Sequence, residues 1–169
     1  AILKVNTITN TKIEFGFTDV TAGTDAGAVN VLATPSFNAT DAALWVVDTT
    51  NNASWRAVGV ANGTAMTSVA PTSIGNYDAD AAPNADVYEL LMVALSGGSA
   101  RYYRGDMVST TGTELGRQLR ITYDSGWQVS AITGTVALTP WLFVQSRTTS
   151  SRTLTVDYIG AWQYRWTAE

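Results

Sequence analysis

The residues best equipped for chemistry in this chain are its carboxylates, arginines and aromatic rings, because it contains no histidine and no cysteine. That absence removes histidine general bases, Ser-His-Asp catalysis, thiol nucleophiles, disulfides and the commonest zinc and iron sites. Carboxylate chemistry on a glycosidic bond needs two acids about 5 to 9.5 Å apart. Glu14, Glu89, Glu114 and Glu169 are isolated, and the odd spacing of Glu14 and Asp19 puts them on opposite faces of a strand. Glu89 and Asp157 lie in apolar runs, where an ionised carboxylate must face water or find a donor. A solvent-facing or arginine-paired acid is expected at both, and no enzymatic activity is expected.

Four other constellations offer binding rather than catalysis. Arg104-Gly105-Asp106 is the tripeptide that adhesion ligands display to integrins, but a tight hairpin turn, with Gly105 supplying positive φ, explains it as well. The turn is the expected role of Arg104, Gly105 and Asp106. Trp55, Tyr102, Tyr103 and Trp127 flank polar residues and are the candidate stacking groups for a sugar, whereas Trp45 and Trp141 lie in apolar runs and read as core. Asp78, Asp80 and Asp86, with Asn84, are the candidate calcium ligands, although their spacing is not that of an EF-hand and a merely solvated loop is the preferred reading. Asn38-Ala-Thr, Asn52-Ala-Ser and Asn62-Gly-Thr match the glycosylation pattern at a frequency that chance allows in so Thr-rich a chain. No cofactor is expected.

Charge narrows the partners. The first 100 residues carry nine acids against three bases, and the remainder five acids against seven arginines. Those arginines are scattered singly without a stripe, a poor footprint for nucleic acid. The longest apolar runs, such as Leu90 to Leu95, are about six residues, far short of the roughly 20 that span a bilayer. The start, Ala-Ile-Leu-Lys, lacks a signal peptide's charged beginning and long apolar middle.

The elements that must position these residues have a period of two. In Lys12-Ile-Glu-Phe-Gly-Phe-Thr-Asp19, Ile13, Phe15 and Phe17 share one face and Lys12, Glu14, Gly16 and Thr18 the other, as in a half-buried strand. Short β-branched or aromatic runs follow at 28–33, 43–48 and 55–61, with Asn51-Asn52 as a hairpin turn. Residues 71 to 86 are rich in turn formers and read as a long surface loop. Val87 to Leu95 is apolar on both faces and reads as a central strand; Ser96-Gly-Gly-Ser99 is a compact turn, followed by a strand to Arg104, a turn, and a strand from Met107. Strands at 117–123, 127–133, 141–145 and 152–166 complete about a dozen, with no credibly capped helix. At 169 residues with 46% hydrophobic and 14% charged residues, the chain fits one all-β domain spanning 1–169, an antiparallel β-sandwich of two sheets.

Three segments carry a resemblance: Ile13-Glu-Phe-Gly-Phe-Thr-Asp19; Val87-Tyr-Glu-Leu-Leu-Met-Val-Ala-Leu95 leading into Tyr102-Tyr103; and Val136-Ala-Leu-Thr-Pro-Trp141 with Leu154-Thr-Val-Asp-Tyr-Ile159. Together they resemble the concanavalin A-like (laminin G/lectin-type) jelly-roll domains of tailed-bacteriophage structural proteins. The chain departs from that pattern where strands preceding the first motif are short or missing, and where 109–135 is expanded. The resemblance implies a virion structural protein, made in the host cytoplasm, that decorates a capsid, head fibre or tail by contact with other virion proteins and with itself. A lectin-like attachment module that binds glycan is the alternative. The closing strand is also similar to laminarinase-like glycoside hydrolases, but their Glu-x-Asp-x-x-Glu triplet is absent.

Overall fold

The computed structural model describes residues 1–20, 27–31, 36–65, 83, 85, 87–109 and 117–163. The predicted loop at 71–86, and with it Asp78, Asp80, Asn84 and Asp86, lies outside the described residues apart from positions 83 and 85. The described residues form twelve strands and no helix, so none is long and apolar enough to cross a membrane. They are β1 (Ile2–Val5), β2 (Thr11–Thr18), β3 (Val29–Val31), β4 (Ser36–Phe37), β5 (Ala42–Asp48), β6 (Asn52–Ala61), β7 (Thr64–Ala65), β8 (Glu89–Ser96), β9 (Ser99–Ser109), β10 (Arg117–Gln128), β11 (Thr139–Ser146) and β12 (Leu154–Tyr158).

Two five-stranded antiparallel sheets pack face to face as a β-sandwich. Sheet I has the order β10-β9-β8-β1-β12 and sheet II the order β11-β2-β5-β6-β7, while β3 and β4 pair as a separate ribbon. Alternation explains the core. Leu3 and Val5 of β1, Leu91 and Val93 of β8, and Ala100 and Tyr102 of β9 point inward from sheet I; Ile13, Phe15, Trp45, Val47, Trp55 and Ala57 meet them from sheet II. Trp45 lies at the centre of this layer, its ring edge-on to Tyr102 at 5.9 Å and to Tyr123 at 5.6 Å. Its indole N–H is satisfied by the backbone carbonyls of Met92 and Tyr103, at 3.2 and 3.1 Å, so a polar atom enters the core without a desolvation penalty.

The turn chemistry predicted at 96–99 holds: Ser96 pairs with Ser99, and Gly97 and Gly98 take φ of 53° and 87°, values that a two-residue primed turn demands. At the β5–β6 hairpin the Asp48 carboxylate accepts from Thr50 Oγ1 at 2.7 Å and Asn51 Nδ2 at 3.0 Å, closing the turn over 49–51.

Four expectations are corrected. Arg104-Gly105-Asp106 is not a turn: β9 runs through it as an inner strand, with Leu91 and Tyr123 opposite Arg104 and with Leu90 and Ile121 opposite Gly105. The second reversal expected there does not occur, and the chain that turns at Gly97-Gly98 runs on as one strand to Ser109. The strands expected at 117–123 and 127–133 are one strand, β10, which absorbs two bulges and ends at Gln128. Among the described residues the closing strand, expected over 152–166, is Leu154–Tyr158. Finally, β2 is buried on both faces, because Ala28, Val29, Phe37 and Ala39 lie over the outer side of sheet II and pack with Leu44, Val46, Val58 and Val60 in a second apolar cluster.

Candidate binding face on sheet I

The strand acids are the first place to look for chemistry, and Glu14 and Glu89, both buried, are occupied. Glu89 points into the sandwich, where Arg104 Nη2 approaches its Oε1 at 2.6 Å, Arg104 Nε donates to the same oxygen at 3.1 Å, and Trp55 Nε1 donates to Oε2 at 3.2 Å. Glu14 points the other way, beneath Ala28 and Val29. It accepts from Lys12 Nζ at 2.8 Å, the backbone N–H groups of Ala28 and Val29 at 2.7 and 3.0 Å, and Trp141 Nε1 at 2.9 Å. Burial pushes the Lys12 amine below its ordinary pKa, against the pull of Glu14. These two sites are pins: each charge is buried only because its partners are buried with it.

Of the four candidate sugar-stacking residues, the structure divides two from two. Trp55 is 1% exposed and Tyr102 is fully buried, its hydroxyl donating to Val58 O at 2.9 Å, so neither can meet a ligand. Both flank polar residues in sequence, yet the alternation turns them inward. Tyr103 and Trp127 instead share the outer face of sheet I, and Trp127 is 48% exposed.

The register defines what surrounds them. Arg101 and Tyr103 point outward from β9, and Gly105 holds the next position of that face, since Tyr102 and Arg104 point inward. Trp127 of β10 stands opposite Arg101, Asp124 opposite Tyr103 and Ile121 opposite Gly105; across the other ladder Met92 of β8 stands opposite Tyr103. Ile121 and Met92 are exposed as well. Between the two rings lies a charged clamp: Arg101 Nε donates to Asp124 Oδ1 at 2.8 Å, Nη2 binds Oδ2, and the guanidinium sits 5.0 Å from the centre of the Tyr103 ring. The hydrogen bond to Asp124 raises the Arg101 pKa, and the same bond holds the Asp124 carboxyl below its usual value. In a pair this exposed the effect on stability is small, and the consequence is orientation: both side chains are ordered beside the rings.

The placement of Trp127 is built into the backbone. One extra residue lies between Asp124 and Trp127 relative to β9. Gly126 takes φ of 65° there and donates its N–H to Asp124 Oδ1 at 2.9 Å, while Ser125 Oγ accepts from the Tyr102 N–H at 2.9 Å. The bulge swallows a residue, so Asp124 and Trp127 emerge on one face although their spacing is odd. That spacing is why the sequence showed the four aromatic candidates but not which two shared a surface, nor the Arg101–Asp124 pair between them.

Among the described residues no group of three or more acidic side chains could hold a metal ion. No protein-family model, curated protein or solved structure matches the chain, so this face is read from its own chemistry.

Proposed function

We propose that this chain is a non-enzymatic structural domain of a tailed-bacteriophage virion, of the concanavalin A-like jelly-roll type, which acts by presenting the outer face of sheet I to a neighbouring protein. The observation that carries the reading is the grouping of Trp127, Ile121, Met92 and Tyr103 around the Arg101–Asp124 clamp on a rigid sheet. Aromatic residues, Met and Arg are the types that concentrate in protein interfaces, and a ring held by a backbone bulge loses little freedom on binding. The occupation of Glu14 and Glu89 by buried cations supports a contact role over a hydrolytic one. The virion setting comes from the sequence resemblance.

The test is addition of purified protein to virions assembled without it. Saturable incorporation that is lost in Trp127→Ala supports the proposal; no incorporation, together with absence of the protein from purified wild-type virions, overturns it. One specific observation favours a second reading, a glycan-binding attachment module. An exposed indole beside an ordered Arg–Asp pair matches a sugar's apolar face and its hydroxyls. Saturable binding on a glycan array, abolished by Trp127→Ala, would select that reading.

A further inference from the structure

A cleft on the flank of the sandwich carries an inference that does not depend on sheet I's outer face. The chain leaves sheet I at Tyr158, and residues 159–161 then lie beside sheet II, where they wall a cavity of about 200 Å³ together with residues 15–17 of β2 and Pro140 and Trp141 of β11. The ladder brings these two stretches together, Pro140 opposite Phe17 and Trp141 opposite Gly16. No side chain in the wall titrates. The one hydrogen-bonding side-chain group there is the Trp141 indole N–H, and it is already spent on Glu14 Oε2 at 2.9 Å. Pro140 removes a backbone donor from the same stretch.

The bridging segment leaves the room. Gly160 can be no larger, since a Cβ there would lie 2.6 Å from Tyr158 Oη and 2.9 Å from Trp162 Cζ3. The rings of Tyr158 and Trp162 close on the segment's own backbone, and Gly160 and Ala161 add little to fill the space beside them. Residues 159–163 make no backbone hydrogen bond to another described residue, so no ladder ties the segment to either sheet. Segments held in this way open at low cost, and the parts of a protein that admit ligands are drawn from them.

We propose that this cleft is a binding site for a small, uncharged, apolar ligand of the size of a benzene ring. A charged or strongly polar ligand would give up its water there with no side chain to replace it. Water itself needs roughly two to four polar partners, and the side chains of the wall offer none. An apolar cavity of about 150 Å³ stays dry and takes up benzene, and this cleft is of similar size. Packed interiors leave few spaces larger than a water molecule, so an apolar group that fills this one gains contacts that the empty wall lacks.

Titration of the isotope-labelled protein with benzene, and with benzoate as the charged control, tests the site by NMR. Benzene is expected to give saturable shifts centred on the Gly16, Gly160 and Ala161 amides and the Trp141 indole N–H, and benzoate none there. Ile159→Asp puts a carboxylate in the wall and should abolish the benzene shifts. Ile159 is half exposed, so the new charge reaches water and the unfolding midpoint should stay that of the wild type. The comparison of benzene with benzoate on the wild type stands even if that variant folds poorly. No saturable shift, equal shifts with benzoate, shifts centred on Tyr103 and Trp127 instead, or unchanged benzene binding in a folded Ile159→Asp overturns the proposal.

Discussion

Replacing Arg104 by Met tests the claim that the adhesion-like tripeptide serves the interior. Arg104 is buried, and its guanidinium binds the Glu89 carboxylate at 2.6 and 3.1 Å. Removing the cation leaves that carboxylate inside the sandwich without its counter-charge, and breaking a buried pair in this way costs about 3–5 kcal/mol. With a urea dependence of about 2 kcal/mol per molar, a loss of about 4 kcal/mol lowers the unfolding midpoint by about 2 M. The double variant Glu89→Leu/Arg104→Met removes both charges and should recover most of the loss, because apolar replacement of a buried pair is often neutral or stabilising. Equilibrium urea unfolding of the two single variants and the double measures the coupling. A tripeptide displayed on a turn behaves differently: Arg104→Met would change stability by no more than about 0.5 kcal/mol. That result, or a double variant no more stable than Arg104→Met alone, would refute the assignment.

Three further outcomes follow from the buried groups. Glu14→Ala should cost about 3–5 kcal/mol and speed hydrogen exchange at the Ala28 and Val29 amides, which donate to that carboxylate; unchanged exchange there would show that the pin does not hold Ala28 and Val29 in place. Burial alone would raise the Asp48 carboxyl, but the hydrogen bonds from Arg147, Thr50 and Asn51 outweigh it and hold the pKa below the usual value. Its contribution to stability is complete above the unfolded value of about 3.9 and is lost as pH falls through the lower folded value, so Asp48→Asn should flatten the acid limb of a plot of unfolding midpoint against pH. Gly16 has φ of 148°, and a Cβ there would overlap the Ala43 carbonyl oxygen; Gly16→Ala should lose about 1–3 kcal/mol to backbone strain and more to the clash, read as a lower melting temperature.

The two-sheet architecture was legible because alternation is a local signal. Ile13, Phe15 and Phe17 face inward as their spacing predicts, and Val87 to Leu95, apolar on both faces, contains the central strand of sheet I. Polar residues in alternating runs misled for a physical reason. Arg104 continues the inward series of Ala100 and Tyr102, but an inward arginine makes sense only once Glu89, fifteen residues earlier in the chain, is known to lie beside it. Lys12 and Glu14 read as the wet face of β2, and only the packing of Ala28 and Val29 over them makes that face dry. Trp55 and Tyr102 failed as surface candidates because neighbours in sequence say little about a side chain whose direction alternates. The pairing of Tyr103 with Trp127 was hidden by a bulge that shifts the parity of β10 midway.

Incorporation of purified protein into virions assembled without it, with Trp127→Ala measured alongside, tests the account most directly. The wild type should add saturably, and the variant should fail to add while keeping the same unfolding midpoint, since Trp127 is half exposed and lies outside the core. Equal incorporation of both proteins, or loss of binding only in parallel with loss of stability, would contradict the assignment of the outer face of sheet I as the contact surface.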